Sequence, residues 1–137
     1  MTRLLPTLPN RWLALPALVA VALFVAGFVF QAEGQSPVPP RFVVVVDESA
    51  GREAAAIDAA TDAIGAARGA DGELRITRTP TEQLSVTSYF AARGYDIVGV
   101  GLNREIAVDP VAEHFPDTRF SLTGARGLPA AVAAAAR

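Results

Sequence analysis

Residues Arg41–Asp47 read RFVVVVD, four consecutive valines behind a phenylalanine with no polar residue among them. A strand with one wet face alternates apolar and polar side chains. A run without alternation is buried on both faces, as in a parallel sheet covered by helices on either side. The segment therefore predicts a central strand of an α/β sheet, and the chain after Asp47 must supply crossover helices.

The downstream pattern supplies them. Glu48–Gly51 reads as a turn, and Arg52–Arg68 as an Ala-rich helix with Ile57 and Ile64 on one face. Glu73–Arg78 alternates, with Leu74 and Ile76 on one side, which suits an edge strand. Thr79-Pro80-Thr81-Glu82 is a capping box with proline at the first helical position. The helix it opens runs to about Arg93, with Leu84, Ser88 and Ala91 along one face and Phe90 beside it, and Gly94 is placed to end it. Tyr95–Leu102 is a second apolar strand. Asn103–Phe115 is helical with a break at Asp109-Pro110, and Pro116 closes it. Thr118–Leu122 reads as a fourth strand. From Gly127 an Ala-rich tail has high helix propensity but little apolar bulk to dock it. Alternation of this kind gives a small doubly wound parallel sheet of about four strands in the order 2-1-3-4, with helices on both faces.

A second feature divides the 137-residue chain. Trp12–Phe30 is 19 residues without a charge, about 28 Å as a helix at ~1.5 Å per residue, close to a hydrocarbon core of ~30 Å. Arg3 and Arg11 precede it, and Arg41 is the first arginine after it. By the positive-inside rule residues 1–11 stay cytoplasmic and the rest lies outside. An uncleaved transmembrane signal anchor fits better than a cleaved signal peptide. The apolar core is long, and Phe30-Gln31-Ala32 puts a bulky residue where cleavage needs a small one. With cleavage the protein would be secreted. Residues 31–40, QAEGQSPVPP, are a Pro-rich linker. The remaining residues 41–137 are enough for one extracytoplasmic domain.

Composition excludes several chemistries. The chain has no cysteine, so disulfides, thiol catalysis, thiolate metal sites and a lipid-modified cysteine are absent. Its net charge is −2, with charges interspersed, so no basic patch suits nucleic acid. No metal-ligand spacing, dinucleotide fingerprint, phosphate-binding loop or nucleophile motif occurs. His114 is the only histidine and sits near a helix C-terminus, where a cation is favourable. The expectation is a noncatalytic protein without cofactor or metal.

The stretch Gly94-Tyr95-Asp96-Ile97-Val98-Gly99-Val100-Gly101, a helix, and then Glu113-His114-Phe115-Pro116-Asp117-Thr118-Arg119-Phe120 resemble the first lobe of the basic membrane protein family. Members of that family are substrate-binding proteins of ABC importers, some of which bind nucleosides. The resemblance spans about residues 41–122. It implies a half of the type I periplasmic-binding-protein fold. It also implies a small polar solute such as a nucleoside as ligand, and an ABC transporter permease as partner. The family holds ligand between two lobes, whereas these residues cover one lobe, so a homodimer is a second way to complete a cleft. Where the family has an aromatic and an Asn after its first strand, this chain has Glu48-Ser49-Ala50-Gly51.

In open parallel sheets, ligands bind beyond the C-terminal strand ends at the switch point, here between the first and third strands. This places Asp47, Glu48 and Ser49 beside Gly101, Leu102 and Asn103 as candidate ligand-binding residues. Gly99 and Gly101 let a ligand approach the backbone, and Asp47 or Asn103 offers polar contacts. The competing reading is that the glycines relieve crowding while Asp47 and Asn103 cap helices. Asp47 also ends its strand as the phosphoacceptor of a response regulator does, but an extracytoplasmic location argues against that role. The leading functional expectation is a membrane-anchored solute-binding or sensing lobe. The alternative is a noncatalytic interaction domain, or a truncated homologue, without ligand binding.

Overall fold

The computed structural model describes residues 37–48 and 53–137, and all of the secondary structure described falls within the unit Pro39–Arg137. The apolar segment 12–30 lies outside the described residues. Among those described, no helix is long and apolar enough to cross a membrane.

Four strands form one all-parallel sheet: β1 (Arg41–Asp47), β2 (Asp71–Thr77), β3 (Asp96–Val100) and β4 (Phe120–Thr123), in the order β2-β1-β3-β4. Among the described residues the α-helices are α1 (Glu53–Ala66), α2 (Pro80–Ala91), α3 (Asp109–His114) and α4 (Leu128–Ala135). The expected α/β class, strand order and edge position of β2 all hold. Phe42 to Val46 are each fully buried, as their lack of alternation requires. Each contributes roughly 1.5–3 kcal/mol by leaving water. Phe42, Val44 and Val46 face one core with α1 and α4, whereas Val43 and Val45 face a second with Phe90, Ala91, Tyr95, Ile97 and Val111.

Local chemistry sets the element ends. Thr79 caps α2, accepting from the Glu82 N–H at 3.2 Å, while the Glu82 carboxylate accepts from the Arg78 N–H at 2.9 Å. Past its C-terminus, Gly94 takes φ +74°, a conformation that costs other L-residues roughly 1–2 kcal/mol. Before Pro110 the chain forms a wide turn over Arg104–Val108, in which the Asp109 N–H bonds the Arg104 carbonyl. Pro110 has no N–H and its ring crowds the carbonyl four residues back, so the expected break at Asp109-Pro110 takes this form.

Two expectations need correction. The buried stripe of α2 is Gln83, Thr87, Phe90 and Ala91 rather than Leu84, Ser88 and Ala91. Thr87 is fully buried, and its hydroxyl lies 2.9 Å from the carbonyls of both Gln83 and Ala107. The edge-strand reading of β2, with Leu74 and Ile76 on one side, stands, and Ile76 is 42% exposed. The Ala-rich tail is docked: Leu128, Val132 and Ala135 are buried in the α1-side core. Small side chains on α1 (Ala56, Ala60 and Ala63) let the two helices approach closely, so few large groups are needed.

Candidate functional site

The sheet order creates a switch point. From β1 the chain crosses to the face of α1, and from β3 it turns onto the face of α2 and α3. Val46 pairs with Val100 in register, so the loops after β1 and β3 leave side by side and diverge. Asp47 and Gly101, each one residue past that pair, are thereby neighbours where the two loops begin. Ser49 lies outside the described residues.

The individual side chains have defined occupations. Glu48 is ion-paired with Arg78, on the β2 side. Asp47 is half-buried and, in register with Thr77, belongs to the α2 face of the sheet. Gly101 adopts φ +72°, which turns the chain back so that Leu102 folds over β3. A methyl group on Gly99 would stand 2.5 Å from Leu102 Cδ1 and 2.9 Å from Leu122 Cδ2. Gly99 thus makes room for Leu102 and Leu122, the packing alternative to ligand access. The Asn103 carboxamide oxygen accepts from the Ile106 N–H at 3.0 Å, capping the wide turn. Its backbone N–H donates to Gln83 Oε1 at 2.8 Å. The cap reading of Asn103 therefore describes its side chain, while its backbone faces α2.

Two residues that sequence reasoning passed over are buried behind these loops: Gln83 and Thr77, 2% and 0% exposed. Thr77 Oγ1 makes a long hydrogen bond to the Val46 carbonyl at 3.4 Å. The available signal for Gln83 was its spacing, four and seven residues before Thr87 and Phe90 on one helical stripe.

Tyr95, Asp96 and the segment around His114–Arg119 build the other end of the sheet. Tyr95 packs edge-on against Phe90 with ring centroids 5.0 Å apart, beneath the Arg41 guanidinium at 5.1 Å. Its pKa is raised above 10.0, first by burial and then by the nearby Asp71 and Glu73 carboxylates, against a lowering by Arg41. Asp96 holds β4 to β3 by accepting from Arg119 Nε at 2.8 Å and from its backbone N–H at 3.3 Å. A groove of about 360 Å³ lies at this end between Gly94, Tyr95, His114, Phe115 and Asp117. Exposed His114 rests against Phe115, ring centroids 5.9 Å apart. Among the described residues no cluster of three or more His, Cys, Asp or Glu side chains could hold a metal ion.

The fold defines a small α/β domain with a four-stranded all-parallel sheet, consistent with half of a Rossmann-like unit. Compared with family models, with curated proteins and with solved structures, the chain has no match.

Proposed function

We propose that the protein is a membrane-anchored, extracytoplasmic solute-binding lobe, held by residues 12–30, whose β1–β3 switch point is one wall of a ligand cleft. The finer likeness to a type I periplasmic-binding-protein half, and to the basic membrane protein family of ABC importers, belongs to this proposal. The observation that carries it is the juxtaposition of the Asp47 and Gly101–Asn103 loops, diverging to opposite faces at the C-terminal sheet edge. That edge is where open α/β sheets bind ligands. A second lobe or a second copy of the chain supplies the other wall, since one wall alone encloses little of a solute.

The test is thermal unfolding of residues 41–137 against nucleosides, sugars and amino acids. A ligand at 100 times its Kd adds about 2.7 kcal/mol of stability and raises Tm, and Asp47→Ala should diminish that rise. A second reading, a noncatalytic interaction domain, is favoured by the internal engagement of Glu48 and Asn103. A cooperative melt that no solute moves would select it.

A further inference from the structure

We infer that β2 is a dimerisation edge: two copies of the chain pair their β2 strands antiparallel about a two-fold axis at Leu74, joining their sheets into one. This goes beyond the solute-binding reading and does not depend on it.

β2 ends the sheet, with β1 on its inner side. An edge strand presents a row of backbone N–H and C=O groups to whatever lies beside it. Among the described residues no strand pairs with the outer side of β2. Such edges are commonly blunted by a proline, a bulge or a very short strand. β2 has none of these: all 7 residues, DGELRIT, keep an unbroken register with β1. It carries charges instead, and they are of opposite sign two positions apart. Glu73 and Arg75 share the α2 face of the sheet. Glu73 accepts from the Tyr95 hydroxyl at 3.4 Å and from Arg75 at 2.6 Å, and the Arg75 guanidinium lies 5.4 Å from the Phe90 ring centroid. Their side chains remain 33% and 49% exposed.

This pattern is complementary to itself. A two-fold axis normal to the sheet keeps like faces together, so it passes through a residue that then meets its own copy. An axis at Glu73 or at Arg75 would oppose like charges. At Leu74 it sets Glu73 against the second copy's Arg75, and Arg75 against the second copy's Glu73. Side chains directly opposite stand about 4.5–5.5 Å apart at Cβ, where opposite charges attract and like charges repel. The pair within each chain thus becomes a ring of alternating charges. Leu74 is also the midpoint of Asp71–Thr77, so this axis pairs the whole strand, and axes nearer its ends pair less of it. On the α1 face Ile76, 42% exposed, comes to lie opposite the second copy's Gly72. A methyl group on Gly72 would stand 2.5 Å from Phe42 Cζ, so the position stays bare and Ile76 covers it. On the α2 face a groove of about 290 Å³ between Arg75, Ser85, Val86, Tyr89 and Phe90 extends the apolar surface beyond the strand. Paired in this way, the two switch points lie at opposite ends of the joined sheet, and neither copy walls the other's.

The experiment measures the copy number of the full chain by light scattering in an excess of detergent micelles. Chain concentration is raised to about 1 mM, where even a millimolar Kd populates the dimer. The wild-type chain should dimerise. Glu73→Arg and Arg75→Glu each oppose like charges at both contacts, and each should weaken dimerisation about tenfold or more. Mixed in equal amounts, these two variants again oppose unlike charges, and the mixture should return to near wild-type dimerisation. If either variant fails to fold, Ile76→Asp takes its place. That position is exposed in the single chain, and a carboxylate there should also weaken pairing about tenfold. A wild-type chain that stays monomeric throughout overturns the inference. So does a dimer that folded single variants leave unchanged, or a mixture no more dimeric than its components. The solute-binding reading is judged by the melting response to solutes, which none of these outcomes alters.

Discussion

At the scale of single residues, the glycines and aromatics around β3 have structural roles that the sequence pattern also presents as functional. Gly99 is the clearest case. The space a ligand would need above it is filled by Leu102 and Leu122. Gly99→Ala should lower unfolding stability by about 1–3 kcal/mol through overpacking. Pairing it with Leu102→Ala should recover part of that loss, since the two side chains share one space. Urea unfolding of both variants and the double variant checks this, and strict additivity would show that Leu102 does not fill the space. Tyr95 gives a pH-dependent readout. Its phenol donates to Glu73 at 3.4 Å, and burial and neighbouring carboxylates raise its pKa above 10.0. The folded chain holds that proton more tightly than the unfolded chain. The resulting stability is complete below pH 10.0 and is lost as pH rises through the higher folded value. Unfolding measured from about pH 9 upward should therefore show an alkaline decline that is shallower in Tyr95→Phe. An equal decline in both proteins would assign it elsewhere.

At the scale of elements, the sequence was legible where one kind of side chain decided the outcome. Four valines in a row specified β1, and the Thr79–Glu82 box with Gly94 bracketed α2. Legibility failed where polar groups were buried by partners distant in sequence. Gln83 and Thr87 look like surface residues until the backbone of the β3 loop and the wide turn is laid over them. Hydrophobic pattern alone consequently turned the helix toward Leu84 and Ser88. Thr87→Val, which keeps shape but removes the hydroxyl shared with Ala107, should cost about 1–3 kcal/mol by leaving a buried carbonyl unmet. The docking of α4 was missed for a related reason: its anchoring depends on the small residues of α1 as much as on its own bulk. Leu128→Ala should cost about 2–5 kcal/mol, measured by urea unfolding. A loss below about 1 kcal/mol would mean that α4 is not integral to the core.

At the scale of the whole molecule, two physical regimes meet in one short chain. Residues 41–137 contain 13 of the 14 acidic residues and 10 of the 12 arginines, a water-facing surface around a double core. Trp12–Phe30 carries no charge at all. The switch point between β1 and β3 was legible because it follows from strand order, which the alternation of strands and helices dictates. The occupations of its side chains were less so, because Asn103 spends its carboxamide on a cap and its backbone N–H on Gln83, which arrives from another element. The division also bears on the proposed function, since a lobe waiting for a second wall works best where a tether raises the local concentration of its partner. An anchor of ~19 apolar residues inserts in effect irreversibly, whereas a peripheral association is reversible. The full chain expressed in cells should therefore stay with membranes through an alkaline carbonate wash and be released only by detergent. A chain beginning at residue 39 should be soluble and melt at the same temperature as the full chain in micelles. Release of the full chain by carbonate would remove the anchor from the proposal. A lower Tm for the shortened chain would mean that the domain draws stability from residues before 39.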